Sequence, residues 1–200
     1  EDRIETPIAV VAAGPWSGPL LAKTGVDVPL SPIRHQVVML HRPRDVVPDH
    51  PIIGDVVNDL SARPDTGDLT LADVAGGIEP ADPDTYNQSV DMSMVEKTFT
   101  NLVSRVPGME QATFRGGWAG LFTTTPDWHP ILDRIEGIDG LYCAIGFSGH
   151  GFKLSPMIGV AVAEIVTQGR ATTIDTSMLG LDRFEEGRPM TSRYGMSVLA

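Results

Sequence analysis

The sequence predicts an α/β chain of mixed α+β character, with two β–α units flanking a sheet-rich insert, and three stretches predict it. The first is PIAVVAA, Pro7 to Ala13, an apolar run followed at once by Gly14-Pro15 and a short amphipathic segment. The second is a pair of extended runs, Ile52 to Leu60 and Leu69 to Val74, joined through Pro64-Asp65-Thr66-Gly67, residues that suit a reversing turn. The third is LYCAI, Leu141 to Ile145, which leads through a loop with three glycines into an apolar helical segment.

In chain order, Pro7 to Ala13 reads as a buried strand. Trp16 to Lys23 reads as a short helix with Trp16, Leu20 and Leu21 on one face and Gly25 as its stop. QVVML, Gln36 to Leu40, is a further strand, and Pro43, Pro48 and Pro51 punctuate the loop after it. Gly76 to Asp84 is an acidic loop. Val90 to Val106 carries Met94, Val95, Phe99, Leu102, Val103 and Val106 at helical spacing, and Pro107-Gly108 ends it. Phe114 to Thr124 returns as strand, marked by Trp118 and Phe122, and Thr125 to Gly140 reads as loop. After the strand Leu141 to Ile145, the segment Met157 to Val166 is a helix closed by Gly169. Pro156, lacking an N–H, is expected in its first turn. This pattern makes about residues 30 to 133 a sheet-rich domain inserted between residues 1–29 and 134–170, with 171–200 as a C-terminal tail.

Composition narrows the function. A hydrophobic content of 42% and a net charge of −11 describe a folded globular chain. The basic clusters that nucleic-acid binding needs are missing, so no nucleic-acid partner is expected. No apolar run approaches the ~20 residues of a membrane span. Cys143 is the sole cysteine, which excludes an internal disulfide and argues against a thiol metal site; it reads as a small buried hydrophobe. With a single cysteine and no disulfide, a reducing cytoplasm is the expected location. The chain starts at Glu1, not methionine, and meets a hydrophobic strand within seven residues, which reads as a piece of a longer chain.

The third stretch holds the candidate site. Strand, glycine loop (Gly146, Gly149, Gly151) and helix bring backbone N–H groups and a helix N-terminus to one point, a site prepared for an anion or an electron-rich cofactor edge. The same glycines also suit a plain tight turn. Ser148 stands where a nucleophile elbow belongs, but His150 replaces the glycine that motif needs, and all five histidines lie at or before position 150. His35 and His41, or Asp127 with His129, do not make a metal motif, and no metal is expected. GxxGxG reverses the spacing of a dinucleotide phosphate loop. Lys153, one of three lysines, lies between Phe152 and Leu154; it either snorkels to solvent or offers its ammonium to a carboxylate in a pocket.

Two segments carry a resemblance. VVAAGPWSGPLLAKTGVDVPLSPIRHQVVML (Val10 to Leu40) and GLFTTTPDWHPILDRIEGIDGLYCAIGFSGHGFKLSP (Gly120 to Pro156) closely resemble the D-amino-acid oxidase-like family of FAD-dependent amine oxidoreductases. The sarcosine oxidase, glycine oxidase and dimethylglycine dehydrogenase branch is nearest. The resemblance implies the C-terminal part of an FAD-binding dinucleotide fold (residues 1–29 and 134–170) with an inserted substrate domain. It also implies that the N-terminal half with the GxGxxG loop lies elsewhere, in the same or another chain.

The residues matching Ala13, Gly14 and Trp16 pass close to FAD in such enzymes. The loop matching Gly146, Phe147, Ser148, Gly149, His150, Gly151 and Phe152 runs along the isoalloxazine ring, where N–H groups and the helix N-terminus favour negative charge at the N1–C2=O edge. The lysine matching Lys153 binds a substrate carboxylate. Gly120 matches a position where some members link flavin to cysteine, so the FAD is expected to be non-covalent. Thr70 and Val74 match positions that carry a lysine and a histidine in sarcosine-type oxidases. That departure opens a dehydrogenase, passing electrons to a carrier other than oxygen, beside an oxidase. The expected activity is oxidation of the C–N bond of a small amino acid or N-methyl amino acid. The alternative is a non-catalytic fragment or subunit that needs the other half.

Overall fold

A computed structural model describes residues 3–74 and 79–191, and its chain divides into two compact units. Unit 1 combines Glu1–Pro32 with Phe122–Ala200, and unit 2 is Ile33–Leu121. Residues 76–78 of the acidic loop and 192–200 of the tail lie outside the described residues.

Unit 1 is built on a three-stranded sheet in the order β1-β8-β7. β1 (Ala9–Val11) runs parallel to β8 (Leu141–Ile145), with Val11 opposite Cys143, and β7 (Ile131–Arg134) pairs antiparallel with the other edge of β8. β1 is followed by a 3-10 turn, Gly14–Trp16, and the short helix α1 (Ser17–Ala22). β8 is followed by the Gly146–His150 turn and the long helix α3 (Gly151–Gln168). Val11, Leu21, Val28, Ile131, Ile135, Cys143 and Ile145 form its core.

Three sequence expectations are corrected here. The run Pro7 to Ala13 is not a wholly buried strand: only Ala9–Val11 is strand and only Val11 of it is buried, because β1 has β8 as its one partner among the described residues. The stretch Thr125 to Gly140 is not all loop, since four of its residues form β7 and cover the free edge of β8. Pro156 lies in the second turn of α3, which starts six residues earlier than the apolar run. A residue there would normally donate to the Phe152 carbonyl; the Ser155 hydroxyl supplies that donor instead, at 2.9 Å. Gly169 ends the helix as expected, at φ 81°, its N–H bonded to the Ile165 carbonyl.

Unit 2 is a five-stranded sheet in the order β3-β4-β5-β2-β6, from β2 (Ser31–His41), β3 (Ile53–Asp55), β4 (Leu60–Asp65), β5 (Leu69–Asp73) and β6 (Thr113–Thr124). Helix α2 (Met92–Arg105) packs on one face, where Val38, Leu40, Leu60, Ala62, Ala72, Val74, Val95 and Leu102 are buried together. The run Ile52 to Leu60 is two strands, not one. Asp55 accepts from both the backbone and the side-chain amide of Asn58, which turns the chain and makes β3–β4 a hairpin. Pro64 and Asp65 belong to β4, so the β4–β5 turn is only Thr66-Gly67-Asp68.

Candidate functional site

Because β1 and β8 are adjacent and parallel, both chains leave the sheet at the same edge. The Ala13–Trp16 turn and the Gly146–His150 turn therefore stand side by side at the carboxyl ends of the strands, the position where open α/β sheets bind ligands. Gly14 takes φ 53°, and a Cβ on it would meet nothing within 4 Å, so its α-carbon faces open space. Trp16 beside it is about half exposed.

The second turn is tightly specified. Gly146, Ser148 and Gly149 all have positive φ, at 70°, 50° and 90°. A Cβ at Gly146 would lie 2.4 Å from Thr125 Cγ2, and one at Gly149 would lie 2.7 Å from the Phe122 ring. Ser148 pays the usual penalty of a left-handed non-glycine residue and is held there by burial and three hydrogen bonds. Its N–H donates to the Thr123 carbonyl (3.0 Å), its hydroxyl donates to the Gly146 carbonyl (3.1 Å), and the Thr125 N–H donates to its Oγ (3.4 Å). A nucleophilic Ser148 is thereby excluded in this geometry, since its oxygen is buried and His150 Nδ1 faces the Ser148 carbonyl instead of Oγ.

His150 precedes α3, and no side chain caps that helix among the described residues. The N–H groups of its first turn, with the positive end of the helix dipole, are open to a ligand. Burial, helped by the neighbouring Lys153 ammonium, lowers the basicity of His150 and keeps its ring neutral near pH 7. Phe152 is 95% exposed and Lys153 is exposed beside it. Gly120 lies on β6 in unit 2, one residue from the end of that unit. Cys143 points into the core, where burial pushes its thiol up to about 12, so it supplies no thiolate for a covalent flavin link.

Thr70 and Val74 are fully buried on the α2-packed side of the unit 2 sheet, Thr70 bonded to His50 Nε2 at 2.9 Å.

Comparison with known proteins shows the family. The family profile described as DAO, FAD dependent oxidoreductase, matches residues 1–165. The chain belongs to this family of FAD-dependent oxidoreductases. FAD-dependent oxidoreductase domain-containing protein 1 of Xenopus laevis is 30% identical over 206 residues, which cover 95% of this chain and 40% of that protein. Glycine oxidase of Geobacillus kaustophilus is 28% identical over 177 residues, 87% of this chain and 44% of that enzyme. The crystal structure of L-proline dehydrogenase from P. horikoshii superposes with a TM-score of 0.84 at 27% identity, over 94% of this chain and 49% of that one. The chain thus spans about 40% of the length of the curated relatives it matches. Among the described residues no helix is long and apolar enough to cross a membrane.

One feature of unit 1 gave no signal in the sequence. Arg183, in the polar tail, is buried and forks onto Asp127.

Proposed function

We propose that this chain is the C-terminal part of an FAD-dependent oxidoreductase that oxidises the C–N bond of a small amino acid or N-methyl amino acid. The observation that carries the proposal is the juxtaposition of the Gly14 and Gly146–His150 turns at the carboxyl end of a parallel strand pair, with an uncapped helix N-terminus beside them. Non-covalent FAD fits there: Gly14 opens a face without Cβ, and α3 offers free N–H groups to the electron-rich edge of the ring system. FAD held at these turns would supply the two-electron oxidising power for oxidation of the substrate C–N bond.

The chain's own residues bind and orient. The first-turn N–H groups of α3, Gly151 to Lys153, favour negative charge arriving at the ring edge. The buried, neutral His150 adds no competing cation. Trp16 and Phe152 present aromatic faces beside the two turns. Lys153 is the carboxylate anchor, its ammonium carried one residue beyond Phe152 on the exposed first turn. Unit 2 is assigned as the substrate domain.

The remaining part of the cofactor site is assigned to an N-terminal half, in the same or another chain. α3 supports this assignment: only Ala161 of it is buried, while Phe152, Leu154, Met157 and Val160 are exposed. So apolar a helix is normally covered. The same observation supports the second reading, a subunit inactive until that half is supplied.

Anaerobic mixing of the full-length flavoprotein with glycine, sarcosine, proline and other small amino acids tests the proposal. Bleaching of the visible flavin band by one or more of them is expected. A flavin that none of them reduces would overturn it.

A further inference from the structure

Asp127 is completely buried and accepts from four N–H donors, Arg183 Nε (2.8 Å), Arg183 Nη2 (3.0 Å), Met190 N (3.0 Å) and His129 N (3.1 Å), with the Thr125 hydroxyl oxygen 3.1 Å away. Arg183 is equally buried. Its remaining N–H groups reach the carbonyls of Gly180 (2.9 Å) and His129 (2.8 Å), and its guanidinium lies 4.1 Å from the centre of the Phe184 ring. The path continues inward. Thr125 binds the His129 carbonyl through its hydroxyl (2.7 Å) and Ser148 Oγ through its N–H (3.4 Å), and its methyl group fills the space beside Gly146. The tail and the glycine turn are two ends of one buried polar network.

Such a pair is a poor device for stability alone, because apolar residues of similar volume serve as well or better. What a planar fork provides is orientation. It fixes the Asp127 carboxylate, and with it the Thr123–Asp127 backbone from which the strained Ser148 is suspended.

We infer that Arg183 is a positioning residue for the Gly146–His150 turn, acting through Asp127 and Thr125. Its effect on flavin chemistry rests on the proposed placement of the flavin at that turn. Arg183 lies beyond the residues 1–165 that the family profile covers.

Arg183→Met leaves a buried carboxylate without its partner and endangers the fold, so Arg183→Lys and Asp127→Asn carry the test in the flavin-bearing protein. Arg183→Lys keeps the charge but not the fork, and Asp127→Asn keeps the shape but not the charge. In both, amide hydrogen exchange at Ser148 and His150 is expected to rise about tenfold while Tyr142 in β8 and Leu102 in α2 keep their rates. The reduction potential of the bound flavin falls in the same variants, and kcat drops while KM is kept. Unchanged exchange at Ser148 and His150 would overturn the inference and leave the flavin placement standing. Faster exchange with an unchanged potential would uphold the inference and overturn the flavin placement.

Discussion

The α-carbon of Gly149 lies so close to the Phe122 ring that a Cβ on it would stand 2.7 Å from Phe122 Cε2. With φ at 90° the position is also strained for any other residue. Gly149→Ala is expected to destabilise unit 1 by about 2–3 kcal/mol through clash and backbone strain together. Gly159→Ala, inside α3 with nothing within 4 Å, is the control. It is expected to be neutral or to stabilise by about 0.5–1 kcal/mol. Urea unfolding followed by intrinsic tryptophan fluorescence compares the two.

Asp127 sets an acid limit on unit 1. Burial alone would raise its carboxyl, but Arg183 and the N–H groups of Met190 and His129 outweigh it and hold it at about 2. A carboxyl depressed in the fold stabilises above its unfolded value and loses that contribution as pH falls through the folded one. Roughly 2 kcal/mol should therefore disappear between about pH 4 and pH 2. Denaturation midpoints measured across that window should fall in the wild type and change less in Asp127→Asn.

His150 gives a second pH dependence. Its ring stays neutral in the fold because burial lowers its basicity, whereas the unfolded chain takes up a proton below about pH 6.5. Stability from this group is thus present above that pH and declines on acidification. His150→Gln should flatten that slope, read from unfolding free energies between about pH 7 and pH 5.

The thiol of Cys143 is expected to be unreactive in the native protein. Buried in β8 and pushed up to about 12, it should not react with a thiol-specific chromogenic reagent at pH 8, and should react once the chain is unfolded in guanidinium. A prompt native reaction would show that β8 is open.

Lys153 separates anchoring from folding. Lys153→Met in the full-length enzyme should raise KM for a carboxylate substrate by about tenfold or more while flavin content stays normal. An unchanged KM would remove Lys153 from the anchor role.

The sequence was most legible where an apolar run meets glycine. The two β–α units and the helix ending at Gly169 follow from that contrast. β7 was not legible because ILDR is four residues long, hidden after Pro130 and carrying two charges. Val56 and Val57 lent strand character to a turn that Asp55 makes through its side chain. Gly146, Gly149 and Gly151 predicted a tight strand-to-helix turn, either plain or ligand-facing, but only the parallel register of Val11 with Cys143 brings the Gly14 turn beside it. Arg183 was illegible in principle. A single charge in a polar tail has no periodicity, and its partner lies 56 residues away.

The claim that the two turns hold the flavin is tested most directly by amide hydrogen exchange on the full-length protein with and without FAD. FAD is expected to slow exchange at Gly14, Trp16 and Gly151 to Lys153, with α2 in unit 2 unaffected. Stoichiometric flavin binding with no protection at either turn would contradict it.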